Sequence, residues 1–177
     1  YYFQLVQIFG DIPLNITPST SLQDGTLSKS SVKEVYETVI VPDLLEAESA
    51  GLPNNSTSGR VTLGATKSLL AKVYLTMAGN PLNQADKYNL ARDKANEVIN
   101  SSEYNLFQTD GSSTWFDKLN NPAFDNLEEN IFMVQYASSG VTSTFTSYFS
   151  PLGGEAITDQ NLHFGGMEPE ADFISSY

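Results

Sequence analysis

GRVTLGATKSLLAKVYLTMAGN, residues 59–80, carries the clearest periodicity in the chain. Thr66, Leu69, Leu70, Val73, Tyr74 and Met77 recur at spacings of three and four, which puts them on one stripe of a helix rather than on the alternating faces of a strand. Thr62 stands where a hydroxyl can take an orphan backbone N–H. Gly79-Asn80-Pro81 supplies the residues that stop a helix. Ala65, Ala71 and Ala78 leave room for a close neighbour.

Working outward, SSVKEVYETVIVPDLLEA (30–47) opens on a capping box, Ser31 with Glu34, followed by the stripe Val32, Val35, Tyr36, Val39 and Ile40. Pro42 lacks an N–H and crowds the preceding turn. The spacing therefore predicts a helix kinked or split there, with Leu44, Leu45 and Ala47 continuing its buried face until Gly51-Leu52-Pro53-Asn54-Asn55 ends it. Further upstream, Tyr2, Leu5, Val6 and Phe9 followed by Gly10 and Pro13 read as the end of a helix, and Asn15 to Ser30 as a loop. Downstream, a helix is predicted from about Asp86 to Ser101 with Tyr88, Ala91, Ala95, Val98 and Ile99 on its buried side. It pairs with the 62–78 helix much as in one tetratricopeptide unit, with Leu70, Ala71 and Tyr74 facing Ala91 and Ala95, although the turn between them is longer than that repeat allows.

After Tyr104 the pattern changes. Ile131-Phe132-Met133-Val134-Gln135-Tyr136 is the one strand candidate, and the only extended pairing is expected there. From Ala137 to Gly166 short polar residues alternate with Phe145, Tyr148, Phe149, His163 and Phe164 without regular period, and Pro169 to Tyr177 resembles the start of another helix. The expectation is a single domain over 1–177, with a helical layer in 1–102 and a short strand plus loops in 103–177.

The 177 residues are 40% apolar and 17% charged, enough apolar side chain for one core. Nine Lys and Arg against 21 Asp and Glu give a net charge of −12, a sign that repels nucleic-acid backbones and anionic membrane surfaces. The charge is uneven: residues 1–102 hold 10 acids and 8 bases, and 103–177 hold 11 acids and one base, Lys118. Cysteine is absent, excluding disulfides, thiol nucleophiles and Cys-ligated metals, and one histidine, His163, excludes multi-His metal sites. No apolar run approaches the roughly 18 residues a membrane-spanning helix needs. The chain starts without Met inside the aromatic run Tyr1-Tyr2-Phe3 and reads as an internal piece of a longer protein.

Several segments, in order, resemble the SusD/RagB family of outer-membrane nutrient-binding lipoproteins. They are YYFQLVQIFGDIPL (1–14), SSVKEVYETVIVPDLLEA (30–47), GRVTLGATKSLLAKVYLTMAGN (59–80), YNLARDKANEVINSSEYNLF (88–107), NLEENIFMVQY (126–136) and EPEADFISSY (168–177). The resemblance implies a mainly α fold, an α-α superhelix with tetratricopeptide-like helix pairs, a short β element and long irregular loops. It implies a lipid-anchored protein on the outer-membrane surface that binds an oligosaccharide or glycan without catalysis. It also implies delivery of that cargo to a TonB-dependent, SusC-like transporter. The family's lipidated N-terminal Cys has no counterpart here.

The candidate ligand residues are Tyr148, Phe149, Asp159, Gln160, Asn161 and His163. A pyranose offers an apolar C–H face that stacks on an aromatic ring, and hydroxyls that pair with amides and carboxylates. Only this stretch sets aromatic rings among short polar side chains outside the helical pattern, and the resemblance places the ligand-side loops after the strand. The competing class is a tetratricopeptide-type scaffold binding a peptide or partner protein along its helices. An enzyme is disfavoured: Glu128 and Glu129 are adjacent and point apart in an extended segment, and Glu168 with Glu170 reads as a solvated helix start. No cofactor or resident metal is expected, since Glu155, Asp159 and Asn161 lack calcium-loop spacing. Arg60 is read as a structural staple paired with a nearby acid, and Trp115-Phe116 as packing.

Overall fold

The computed structural model describes residues 1–21, 26–54, 59–106 and 129–132. All of them lie in the unit Tyr1–Met133; the remaining unit is Val134–Tyr177. Helix α1 (Tyr2–Phe9) ends at Gly10, whose φ of 69° is open to a residue without Cβ and whose N–H reaches the Val6 carbonyl. The chain then runs extended. Strand β1 (Ile12–Pro13) pairs antiparallel with β2 (Lys29–Ser30), Ile12 opposite Ser30 and Pro13 opposite Lys29.

This pairing was not expected, because extended pairing was predicted only near Ile131–Tyr136. Two residues per strand are too short to show a period of two. The ladder exists because Ile12 is buried in the core, which brings its backbone alongside the residues that lead into the next helix. Of the predicted strand, Ile131 lies in a bend and Phe132 in no regular element, while residues 133–136 lie outside the described residues.

The next helical rod is split as Pro42 requires. Helix α2 (Val32–Val35) passes into a π segment (Tyr36–Ile40) and then into α3 (Val41–Ser49). In the π segment the Val41 N–H bonds to the Tyr36 carbonyl, five residues back. The extra residue puts Pro42 in the first turn of α3, where no intrahelical N–H is called for. At the rod's start the Glu34 N–H donates to Ser31 Oγ at 3.2 Å, and the Val32 N–H donates to Asp11 Oδ1 at 2.9 Å. Asp11 thus ties the end of α1 to the positive end of α2, a favourable position for a carboxylate.

Helix α4 (Leu63–Ala78) is capped by Thr62, whose Oγ1 accepts from the Ala65 N–H at 3.1 Å. A turn with a cis Asn80–Pro81 bond leads to α5 (Lys87–Ile99), antiparallel partner of α4 in the most extensive helix contact. The core gathers Val6, Ile12, Val35, Tyr36, Ile40, Leu70, Val73, Tyr74, Met77 and Ala91, with Phe3 edge-on to Tyr36 at 6.0 Å between centroids. Helix α5 buries less than expected. Ala91 and Val98 are buried, but Tyr88 is 52% and Ile99 69% exposed. Its small residues let it lie close on α4, and among the described residues no element covers the stripe carrying Tyr88 and Ile99. The mainly helical class with one short β element is the one expected.

Candidate functional site

Tyr148, Phe149, Asp159, Gln160, Asn161 and His163 all lie outside the described residues, as do Trp115 and Phe116. The polar geometry that is described lies at one end of the α4–α5 pair, where three connecting stretches converge.

Past α5 the chain turns through Ser102, at φ 60°, and folds back on the helix pair. Ser101 Oγ donates to the Val98 carbonyl at 2.7 Å and accepts from the Glu103 N–H at 3.3 Å, which shapes that turn. Tyr104 then reaches across the first turn of α4. Its hydroxyl donates to the Asn54 carbonyl at 2.9 Å and lies 3.3 Å from Thr62 Oγ1. The Asn54 amide donates to Glu103 Oε1 at 3.3 Å, and the Leu63 N–H to the Pro53 carbonyl at 2.9 Å.

Gly64 makes this possible. A Cβ there would overlap the Tyr104 ring, 2.5 Å from Cε2 and 2.7 Å from Cζ. Sequence reasoning passed over Gly64. Its signal was a glycine inside a strong helical pattern, where it costs about 1 kcal/mol against alanine unless packing demands it.

Beside Tyr104 is a half-open cavity of about 70 Å³ lined by Leu63, Gly64, Lys67, Val98, Ser101 and Glu103 among others. Ligand pockets typically run to ~300–1,000 Å³, so this space suits ordered water better than a sugar ring. Its charged wall continues as a chain of ion pairs. Lys67 meets Glu97 at 2.7 Å, Glu97 meets Lys94 at 3.0 Å, and Lys94 meets Glu48 of α3 at 2.6 Å. The hydrogen bond from Lys67 leads in holding the Glu97 carboxyl below its ordinary pKa, partial burial opposing it and Lys94 reinforcing it. Burial works against the Lys94 charge, yet its bonds to Glu48 and Glu97 prevail and its pKa is raised. Burial also raises the Tyr74 and Tyr36 phenols.

Arg60 departs from its expected role. It is exposed and forms no ion pair among the described residues; the entry to α4 is held instead by Thr62, Pro53 and Tyr104. Among the described residues no group of three His, Cys, Asp or Glu could hold a metal ion, and no helix is long and apolar enough to cross a membrane.

A split helical rod packed on an antiparallel helix pair, with its ends tied by polar contacts, defines an α-helical protein of stacked helix pairs. The comparisons narrow that class. Residues 1–75 match a family model described as SusD-like, starch-binding associating with outer membrane. A SusD homologue from Bacteroides thetaiotaomicron is similar at 34% identity over 60% of this chain and 21% of its own, with a TM-score of 0.51. A SusD superfamily protein from Bacteroides fragilis shares the fold at 22% identity over 86% of this chain and 31% of its own, with a TM-score of 0.67. No curated protein sequence matches the chain significantly.

Residues 1–75 thus match the SusD-like family model, and the chain is similar to SusD homologues, the family that the ordered segments of its sequence resemble. The chain spans 21% and 31% of the lengths of the two solved structures it resembles.

Proposed function

We propose that this chain is part of a non-catalytic glycan-binding protein of the outer-membrane surface that delivers oligosaccharide to a TonB-dependent transporter. The observation that carries the reading is the match of residues 1–75 to a family model described as starch-binding and associating with the outer membrane. The ligand contacts we assign are Tyr148 and Phe149 as stacking rings, with Asp159, Gln160, Asn161 and His163 as polar partners. Their support is chemical: rings set among short amides and carboxylates meet both faces of a sugar's character. A surface lipid anchor and a SusC-like partner belong to the same reading.

Tyr148→Ala and Phe149→Ala, singly and together in the full-length protein, are to be titrated by calorimetry against maltoheptaose and other oligosaccharides. Wild type is expected to bind at least one of them, and each lost ring to weaken binding about ten-fold or more, with circular dichroism unchanged. Full affinity in both variants, with loss in a folded Trp115→Ala, would move the site to the other aromatic. A second reading has its own observation, the exposure of Tyr88 and Ile99 along α5. A wild type that binds no sugar but binds a peptide along that face would replace glycan transport with a protein-interaction scaffold.

A further inference from the structure

The split rod is anchored unevenly. Val35 of α2 and Tyr36 and Ile40 of the π segment are buried, whereas α3 buries no residue fully: Val41 and Leu44 pack partly against the core, and Ala47 and Glu48 farther along are half-buried. Pro42 lacks the N–H that would carry the backbone ladder across the joint, so the two halves are weakly coupled there. Among the described residues, Glu48 with Lys94 is the one side-chain hydrogen bond or ion pair that joins residues 41–52 to another element. Lys94 Nζ lies 2.6 Å from Glu48 Oε1 and 3.0 Å from Glu97 Oε1, and the Lys94 and Glu48 side chains are only 21% and 18% exposed. Just beyond, the chain is clasped again, Pro53 by the Leu63 N–H and Asn54 by the Tyr104 hydroxyl.

We propose that α3 is a separately opening unit of the helical layer, bounded by the proline joint and the Tyr104 clasp, with Lys94 as the latch that holds it closed. A helix of nine residues is too short to keep its shape in water once it leaves the layer, so undocking and unfolding are one event. Without Lys94, Glu48 is a poorly solvated carboxylate beside the like charge of Glu97, and opening α3 returns it to water. The latch therefore works by charge. Replacing both of its partners by uncharged side chains should leave α3 better held than replacing the lysine alone.

The test uses the full-length protein and the variants Lys94→Met, Glu48→Gln and Lys94→Met/Glu48→Gln. Amide hydrogen exchange over residues 43–50 reads α3, and residues 66–77 of α4 report the core. In wild type, 43–50 should exchange through an opening of lower free energy than the one that exposes 66–77. Lys94→Met should speed exchange in 43–50 about ten-fold or more and change 66–77 far less. Glu48→Gln, which strands no carboxylate, should speed it only about two- to five-fold. The double variant should exchange more slowly than Lys94→Met alone, because the stranded charge is gone.

Equal protection of 43–50 and 66–77 in wild type, falling together in Lys94→Met, overturns the separate unit. Unchanged exchange of 43–50 in Lys94→Met overturns the latch. A double variant that exchanges as fast as Lys94→Met or faster overturns charge as the cause and leaves only the packing of the lysine stem. If Lys94→Met does not fold, Glu48→Gln carries the decision: acceleration confined to 43–50 supports the latch, and its absence overturns it.

Discussion

The centre of the helical layer and its clasped end are held by different physics. In the centre, Val35, Leu70 and Val73 are wholly buried and Tyr36 and Met77 nearly so, and what joins α4 to the split rod is apolar contact. At the end, Tyr104, Asn54, Glu103, Lys67 and Glu97 are half-buried or exposed, and the joints are hydrogen bonds and ion pairs across 30 to 50 residues. The centre resists unfolding through removed apolar surface, and its buried phenols, Tyr36 and Tyr74, bear on pH only in the alkaline range. The end contributes less energy and more geometry, and it holds the carboxylate, Glu97, that responds in the acid range.

The contrast is sharpest in truncation. Leu70→Ala removes a fully buried side chain from the middle of the core. It should cost about 2–5 kcal/mol by denaturant unfolding of the full-length protein, the largest effect of any substitution considered. Gly64→Ala should rank second. Its helix propensity gains about 1 kcal/mol. The overlap with the Tyr104 ring opposes this at about 1–3 kcal/mol, because the neighbouring atoms belong to a stiff ring. A net destabilisation is expected; a stabilised Gly64→Ala would show that the ring moves aside freely and that the two regions are less distinct than their contacts indicate.

The same contrast explains what could be read from sequence. Helix α4 was legible from Thr62 to Gly79 because its buried residues follow one stripe. The break at Pro42 was legible because a missing N–H must be accommodated, although that the rod would widen into a π segment was not. Strands β1 and β2 left no trace, being two residues each, and Asp11 gave no sign that it would cap a helix 21 positions away. Tyr88 and Ile99 fitted a helical stripe, but a stripe tells which residues share a face and not whether a neighbour covers it. The clasp was hidden for a similar reason. Tyr104 and Gly64 each look ordinary, and only the fold brings them together. The sugar contacts proposed at Tyr148 to His163 rest on residue chemistry and family position alone.

Tyr104→Phe should come third. It keeps the ring on Gly64 and removes the hydroxyl's bonds to Asn54 and Thr62, a loss of about 0.5–1.5 kcal/mol measured by the same unfolding experiment. An effect as large as that of Leu70→Ala would mean the clasp is part of the core in energy as well as in place.

The smallest effect is the one that tests the electrostatic character of the clasped end. The Glu97 carboxyl has its pKa lowered in the folded chain, chiefly by Lys67 with Lys94 in support. A group depressed on folding contributes stability that is present above its unfolded pKa, about 4.3 for glutamate, and that is lost as pH falls through the lower folded value. Lys94 has the opposite sign: its raised pKa contributes stability that is complete below about 10.4 and fades as pH rises through the folded value. Between these limits both contributions are constant, so neither group should tilt the stability profile around neutral pH. Glu97 is 40% exposed in the pair and is screened by solvent, so Glu97→Gln should cost only about 0.2–1 kcal/mol at pH 7. The loss should shrink in high salt and nearly vanish below the folded pKa, where wild type has lost the same charge. Leu70→Ala should keep its full cost in both conditions, because burial of apolar surface does not titrate. A Glu97→Gln deficit that persists unchanged at low pH would show that this end is held by packing after all.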